Sequence, residues 1–171
     1  MQKRPCEPLA VTFEIRLFAR DDLDEVVAFA VRAWAPIFDS LRAILGGPLF
    51  GILRGDDWKP GQAAAVKEAI KTGGALTWVA TVDGVCCGFA TASLSADGEV
   101  GEIVMVAVDP DYQRRGLGAA LTETAIEALR ARGASVVMVE TGGDPGHSAA
   151  RATYERTGFT ALPVVRYFKS F

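Results

Sequence analysis

The sequence is poor in the residues that build metal centres and disulfide frameworks. It holds one histidine, His147, and three cysteines, Cys6, Cys86 and Cys87. An odd number of cysteines, two of them adjacent, does not suit a disulfide framework, and one histidine leaves a metal site short of ligands. We therefore expect no metal, free thiols and the reducing environment of the cytoplasm.

Long apolar segments and an excess of positive charge are also missing. No apolar run reaches the roughly 18 residues of a membrane span, and the N-terminus has no apolar stretch typical of a signal peptide. Eighteen basic residues oppose 21 acidic ones, which gives a net charge of −3, whereas nucleic-acid-binding domains are usually strongly basic. We expect neither a membrane nor a nucleic-acid partner, so an anionic ligand would have to be attracted by local charge.

The remaining composition is that of a globular domain. Half of the 171 residues are hydrophobic and 23% are charged, and a chain of this length can bury a core as one domain. We expect residues 1–10 to form a flexible leader and residues 11–171 to form a single domain. No internal repeat, low-complexity tract or linker divides it.

The first part of the chain is mainly helical in pattern. Residues 12–18 alternate apolar and polar side chains, which predicts a strand. Helical spacing predicts a helix over 23–34 that Pro36 interrupts, because proline lacks the N–H that a helix interior needs. Short helical pieces over 37–60 and a helix over about 61–72 follow.

The second part changes to the two-residue period of strands. Two Asp-Gly turns separate three predicted strands, and two helices then alternate with two further strands. The predicted elements are strands at 75–82, 85–95 and 99–108, a helix to about 132, a strand at 135–140, a helix at 147–158 and a strand at 164–171. The strand–helix–strand unit at 99–140 predicts a right-handed parallel crossover. The sequence therefore predicts an α/β fold, with a mixed, mostly antiparallel sheet and helices on its faces.

One stretch, VDPDYQRRGLGAAL (108–121), has the chemistry of an anion site. Helical spacing begins near Gly116 or Leu117, and the first N–H groups of a helix have no partner within it. The helix dipole adds positive potential there, and glycines let a ligand approach the backbone closely. Arg114 and Arg115 add full charges, so a phosphate or pyrophosphate fits this position.

Three phosphate-binding designs compete for this stretch. A P-loop requires Lys-Ser or Lys-Thr after the second glycine, where this sequence has Ala119-Ala120. A dinucleotide-binding fingerprint is closer, since GLG is followed by Glu140 at the end of the next strand. However, Leu121 occupies its last glycine position, the loop is long, and the preceding strands are hairpins.

The third design is the acyl-CoA loop, and here the sequence resembles the GNAT superfamily of N-acetyltransferases. That family's Gln/Arg-x-x-Gly-x-Gly/Ala signature reads Gln113-Arg114-Arg115-Gly116-Leu117-Gly118. YERTGF (154–159) resembles the family's second motif, and the likeness extends over residues 76–168. The resemblance implies the GNAT fold with a splayed parallel strand pair, an acceptor-side part at 11–75 and an acetyl-CoA-binding core at 76–171.

The resemblance also implies which residues hold acetyl-CoA. Loop amides would bind the pyrophosphate, and the free edge of the preceding strand would pair with pantetheine. The implied cofactor-binding residues are Met105, Val106, Ala107, Val108, Gln113, Arg114, Arg115, Gly116, Leu117, Gly118 and Ala119. His147 stands where many family members have an asparagine that contacts CoA; a helix-capping role and a catalytic role are the alternatives.

Two catalytic residues follow from the same resemblance. Tyr154 matches the tyrosine that protonates the leaving thiolate, although it could also only line the pocket. Glu102 matches a general base of the histone-acetylating branch, with Glu99 and Glu140 as weaker candidates and an exposed surface glutamate as the alternative. Strict alternation places Glu102 on the strand face of Val106 and Val108.

The resulting hypothesis is an N-acetyltransferase that moves an acetyl group from acetyl-CoA to a primary amine by direct attack in a ternary complex, with the N–H of Val106 or Ala107 polarising the thioester carbonyl. The alternatives are an inactive acyl-CoA-binding sensor and, more remotely, a nucleotide-binding oxidoreductase. The acceptor cannot be read from the sequence. A homodimer through the C-terminal strand is a further possibility.

Overall fold

A single mixed sheet organises the protein. The computed structural model describes residues 12–171, so the expected leader and Cys6 lie outside the described residues. Five strands follow one another across the sheet in chain order; they are β1 (Glu14–Leu17), β2 (Thr77–Val82), β3 (Val85–Leu94), β4 (Val100–Val108) and β5 (Val136–Val139). All neighbours are antiparallel except β4 and β5, which are parallel. The predicted sheet with one parallel pair is confirmed.

Helices cover both faces of this sheet, as expected. They are α1 (Leu23–Leu45), α2 (Gly47–Arg54), α3 (Lys59–Gly73), α4 (Leu117–Ala131) and α5 (Ser148–Arg156). Leu117, Leu121 and Leu129 of α4 are buried in a core on one face, while α1 and α3 contribute Phe29 and Val66 to a core on the other. No helix among residues 12–171 is long and apolar enough to cross a membrane.

The hairpin between β2 and β3 has the predicted turn. Asp83 and Gly84 both have positive φ, 51° and 80°, as a two-residue turn that matches the strand twist requires. The hairpin brings Cys86 and Cys87 into the sheet, where both are buried. Burial raises the pKa of the Cys86 thiol to about 12 and also raises that of Cys87. Both thiols are therefore protonated and unreactive at neutral pH.

Helix α1 differs from the prediction because Pro36 does not end it. The helix continues for nine residues beyond this proline, to Leu45. Buried side chains on both sides of Pro36 explain this: Phe29 packs against Phe89 of the sheet, and Phe38 stacks on Trp58 with ring centroids 4.2 Å apart. Tertiary packing outweighs the local cost of the missing N–H.

The predicted strand at 164–171 is wrong. Residues 157–171 have no helix or strand, and large side chains such as Leu162, Val164 and Tyr167 are exposed. The apolar residues of this tail occur as adjacent pairs, Val164-Val165 and Tyr167-Phe168, so one strand face cannot collect them. The C-terminal strand through which a homodimer was expected to form is therefore absent from residues 157–171.

Candidate active site

The parallel pair β4 and β5 separates partway along its length. Pairing joins Val100–Ile103 to Val136–Val139 and stops there, although β4 continues beside β3 to Val108. The separation coincides with a bulge, because Ile103 pairs with Ala92 and Met105 pairs with Thr91, which leaves Val104 as an extra residue. Beyond Ile103 and Val139 the two strands are no longer paired, and we call this unpaired stretch the β4–β5 gap.

The bulge reverses the alternation of side chains along β4. Ile103 packs in the α4 core, and so do Val106 and Val108, an odd number of residues further on. Met105 and Ala107 pack on the α1/α3 face instead. The expectation that Glu102 shares a face with Val106 and Val108 is wrong, because one inserted residue turns all later side chains over. Glu102 is half-buried and lies on the α1/α3 face.

The backbone of β4 offers alternate groups to the gap. Asp109 N–H donates to the Cys87 carbonyl of β3 at 2.8 Å. Since N–H and C=O groups alternate in direction along an antiparallel strand, Ala107 also points toward β3, while Val106 and Val108 point away from it. The Gln113 side-chain amide caps the outward-pointing carbonyl of Val108 at 3.1 Å. Of the two proposed oxyanion donors, this alternation favours Val106.

The loop after β4 is fixed by a buried carboxylate. Asp109 is 7% exposed and accepts hydrogen bonds from the Asp111 N–H at 3.2 Å and from Arg32 of α1 at 2.6 Å. Arg115 bends back onto the loop, where it donates to the Asp111 carbonyl at 3.0 Å and lies over the Tyr112 ring. These contacts hold the loop in one shape and attach it to α1.

The loop ends in an unusual backbone conformation at the N-terminus of α4. Gly116 has φ of 88°, and the non-glycine residue Arg114 has φ of 62°, which costs about 1 kcal/mol. The first backbone N–H of this helix to bond within it is that of Ala120, to the Gly116 carbonyl. The amides of Leu117, Gly118 and Ala119 are therefore available to a ligand. We call residues 114–119 the helix mouth.

The loop after β5 contains a hydrogen-bonded cluster that sequence reasoning missed. Asp144 accepts from Ser40 of α1 at 2.7 Å and from the Gly146 N–H at 3.0 Å, and it also bonds His147 through Nδ1. Arg151 donates to the carbonyls of Gly142 at 2.6 Å and Asp144 at 2.8 Å. Burial alone would raise the pKa of Asp144, but the bonds from Ser40 and His147 lower it below its ordinary value.

Two glycines make room for this cluster. A Cβ on Gly142 would lie 2.4 Å from the Nδ1 atom of His147, and one on Gly146 would lie 2.8 Å from Cβ of Ser40. The Asp-Pro-Gly sequence at 144–146 is a turn signal that marks Asp144 as a cap, and its carboxylate does accept from Gly146. Nothing in the sequence marks Ser40, 104 residues away.

His147 is positioned by this cluster rather than by α5. It occupies the N-cap of α5 but makes no side-chain capping bond, so the helix-capping alternative is wrong. Its Nδ1 is engaged by Asp144, which leaves Nε2 as the ring atom that can meet a ligand. Within residues 12–171 no three metal-ligating side chains gather.

Tyr154 lies in α5, which packs against α4. Its ring meets that of Phe159 edge to face, with centroids 5.9 Å apart, and Phe159 packs against the α4 core. Burial raises the pKa of Tyr154 to about 12, so the phenol is protonated at any physiological pH. It can donate a proton but does not begin as a base.

A mixed sheet whose one parallel pair stops pairing partway, followed by a glycine-containing loop and a helix, is the arrangement that the resemblance to the GNAT acetyltransferases implies. The acetyltransferase (GNAT) family profile matches residues 38–159, which is more than half of the chain. The chain belongs to this family.

Curated relatives with similar sequences are acetyltransferases. Mycothiol acetyltransferase of Sanguibacter keddieii is 34% identical over 95% of this chain and 48% of that protein. Mycothiol acetyltransferase of Beutenbergia cavernae is 42% identical over 52% of this chain and 30% of its own. The ribosomal protein bS18-alanine N-acetyltransferase of Escherichia coli is 43% identical over 37% of this chain and 41% of its own. The chain thus spans less than half of the length of each relative.

Solved structures share the fold at low sequence identity. The PaiA N-acetyltransferase of Thermoplasma acidophilum, in complex with coenzyme A, superposes with a TM-score of 0.69 at 18% identity and covers 90% of this chain and 93% of its own. The ribosomal-protein-S18-alanine N-acetyltransferase of Escherichia coli gives 0.59 at 24% identity, over 89% and 80%.

The Ser40–Asp144 contact should stabilise the loop after β5. The Ser40 hydroxyl donates to Asp144 and also accepts from the Gly146 N–H at 3.1 Å. In Ser40→Ala both groups lose a partner, so we expect the free energy of unfolding to fall by about 1–2 kcal/mol. Amide hydrogen exchange in residues 142–147 should become faster. Ser148→Ala, at an exposed serine beside the same loop, is the control; equal effects of the two substitutions would contradict the assignment.

Proposed function

We propose that the protein is an N-acetyltransferase that transfers the acetyl group of acetyl-CoA directly to a primary amine in a ternary complex. The observation that carries this proposal is the placement of the β4–β5 gap directly before the helix mouth, at adjoining points of one chain segment. Backbone groups in the gap suit the amides of pantetheine, and the mouth suits a pyrophosphate.

The helix mouth fits the pyrophosphate in both charge and space. The amides of residues 115–119 and the α4 dipole attract an anion, and the exposed side chain of Arg114 adds a positive charge. A Cβ on Gly118 would meet nothing closer than Val108 at 3.8 Å, so the space in front of this residue is open to a ligand. Nε2 of His147 is a further contact from the loop after β5.

The gap fits the pantetheine arm and the thioester. From Met105 to Val108, β4 has no strand neighbour on its β5 side. The outward groups of Val106 and the N–H of Val108 can therefore pair with amides of the substrate, whereas Gln113 already donates to the Val108 carbonyl. The Val106 N–H is then the donor that stabilises negative charge on the thioester oxygen. Burial of the arm between two strands would also exclude water from the thioester.

The acid and the base come from opposite sides of the gap. Glu102 on the α1/α3 face accepts a proton from the acceptor's ammonium group, which frees the nitrogen lone pair that then attacks the acetyl carbon. The nitrogen releases its remaining extra proton to water as the amide forms. As the carbon–sulfur bond breaks, Tyr154 on the α5 side donates its phenolic proton to the thiolate. The burial that raises the pKa of Tyr154 also raises the basicity of a thiolate brought beside it, so the two groups stay closer in proton affinity.

The identity of the acceptor stays open. The relatives' names differ in this respect: one names mycothiol and another names an alanine of ribosomal protein bS18. A screen of primary amines, monitored by release of free CoA, tests the proposal. Binding of acetyl-CoA without turnover of any amine would favour the alternative hypothesis, an inactive acyl-CoA-binding sensor. Binding of NAD instead of CoA would overturn the proposal.

Gly118→Ala should weaken CoA binding without harming the fold. The new methyl group has room within the protein and alanine is the better helix former, so the free energy of unfolding should stay equal or rise by up to about 1 kcal/mol. The methyl group would enter the space assigned to the pyrophosphate, and the Kd for CoA should rise about tenfold or more.

The matched control for this substitution is Gly61→Ala. Gly61 lies in the first turn of α3 and also has open space around its Cβ position. It should show the same small change in stability and no change in the Kd for CoA, measured by titration calorimetry. Equal Kd values for both variants would contradict the assignment of the helix mouth.

Glu102→Gln should remove the base and leave the cofactor site intact. We expect kcat/KM for the amine to fall by about 10²–10⁴-fold, the usual contribution of general-base catalysis, with an unchanged Kd for CoA. The control is Glu99→Gln, at an exposed glutamate just before the same strand. If both variants kept the wild-type kcat/KM, Glu102 would be a surface glutamate without a role as base.

Tyr154→Phe should lower kcat by a factor that does not vary with pH. Because the pKa of Tyr154 is raised to about 12, the phenol stays protonated across an assay from about pH 6 to pH 9. Its ionisation should therefore add no alkaline limb to the wild-type profile. Tyr167→Phe, in the exposed tail, is the control. Equal activity of the two variants would argue against the acid role, and a loss that disappears at high pH would contradict the raised pKa of Tyr154.

A further inference from the structure

A small part of the sheet is left uncovered beside the β4–β5 gap. Two adjacent cross-strand pairs form it, Val100 with Val136 and Glu102 with Met138. The residues that alternate with these pairs along the two strands face α4 instead. Ile103 and Val137 pack in the α4 core, and a Cβ on Gly101 would meet Leu129 of that helix. The four side chains therefore lie together on the opposite face, which we call the open sheet face.

The open sheet face is apolar with one carboxylate in it. Val100, Val136 and Met138 are 39%, 57% and 43% exposed, although α1 and α3 cover the same face of β2 and β3 and the later part of β4. These three apolar side chains adjoin one another and a carboxylate, unlike apolar residues scattered singly over a surface, which need no explanation. Glu102 gives this surface a negative charge at the point where the gap begins.

We propose that the open sheet face binds the apolar body of the acceptor, which is therefore a primary amine next to a hydrophobic side group. The inference rests on the proposed function and deepens it. An ammonium group is the charge complement of Glu102, the residue assigned to remove its proton, and an adjoining hydrophobic group would cover Val136 and Met138. The amine would then face the gap where the thioester lies.

A second copy of the chain suits this surface less well. Stable protein interfaces bury on the order of 800 Å² on each partner, far more than four side chains provide. In a two-fold contact each surface meets its own copy, so two Glu102 carboxylates would be buried near each other without a counter-charge. A cationic small acceptor removes that conflict.

The test compares two amines that differ only in their side group, glycinamide and leucinamide. We expect the wild type to favour leucinamide by about tenfold or more in kcat/KM, since a few methylene groups on an apolar surface are worth that much. Val136→Thr and Met138→Gln keep side-chain volume but add polar atoms. Each should reduce this preference about threefold and leave the KM for acetyl-CoA unchanged.

Val85→Thr is the matched control, because Val85 is a similarly exposed valine, at 44%, at the start of β3; it should keep the wild-type preference. Equal kcat/KM for the two amines, or a preference that the Val136 and Met138 variants retain, would overturn the inference. So would a change of mass from dimer to monomer in those variants, measured by sedimentation. Absence of CoA release with every amine is a different result, which overturns the proposed function itself.

Discussion

The extra residue at Val104 is the constraint on which the candidate site depends. The pairing of β4 with β5 stops after Ile103, at the position of the bulge, and a bulge increases the local twist of its strand. The bulge also reverses the alternation of side chains, so that Glu102 lies on the opposite face from Val106 and Val108, which contact α4. The end of the pairing and the change of face therefore occur at the same inserted residue.

Helix α1 attaches the two loops that border this opening. Arg32 bonds Asp109 after β4, and Ser40, two turns later in the helix, bonds Asp144 after β5. Both carboxylates are mostly buried, with about a tenth or less of each side chain exposed, although the Arg32 side chain is 54% exposed. The long helix therefore fixes the spacing of the two strand ends, which explains why its continuation through Pro36 matters to the site as well as to the core.

Local sequence patterns predicted the elements and the helix mouth, because these depend on residues close together in the chain. The Asp83-Gly84 turn, the order of strands and the start of α4 after Gly116 all follow from such patterns. The bulge leaves no mark in a strand of valines, since Val104 resembles its neighbours. The Ser40–Asp144 bond spans 104 residues. The strand predicted at 164–171 is wrong because the composition of that segment, rather than any alternation, suggested a strand.

The proposed donor site consists of backbone groups and the proposed acceptor site of side chains. A family resemblance can therefore predict the cofactor but not the acceptor. The donor site consists mainly of backbone amides, so its sequence requirements are few: glycine at 116 for a positive φ and a small residue at 118 for open space. Many sequences can satisfy these and keep the same cofactor. The proposed acceptor surface consists of side chains at 100, 102, 136 and 138, each of which can change without disturbing the ladder between β4 and β5. Acceptor chemistry can therefore vary while the donor site stays the same, and the names of the relatives do differ in what they specify, mycothiol in one and a ribosomal-protein alanine in another.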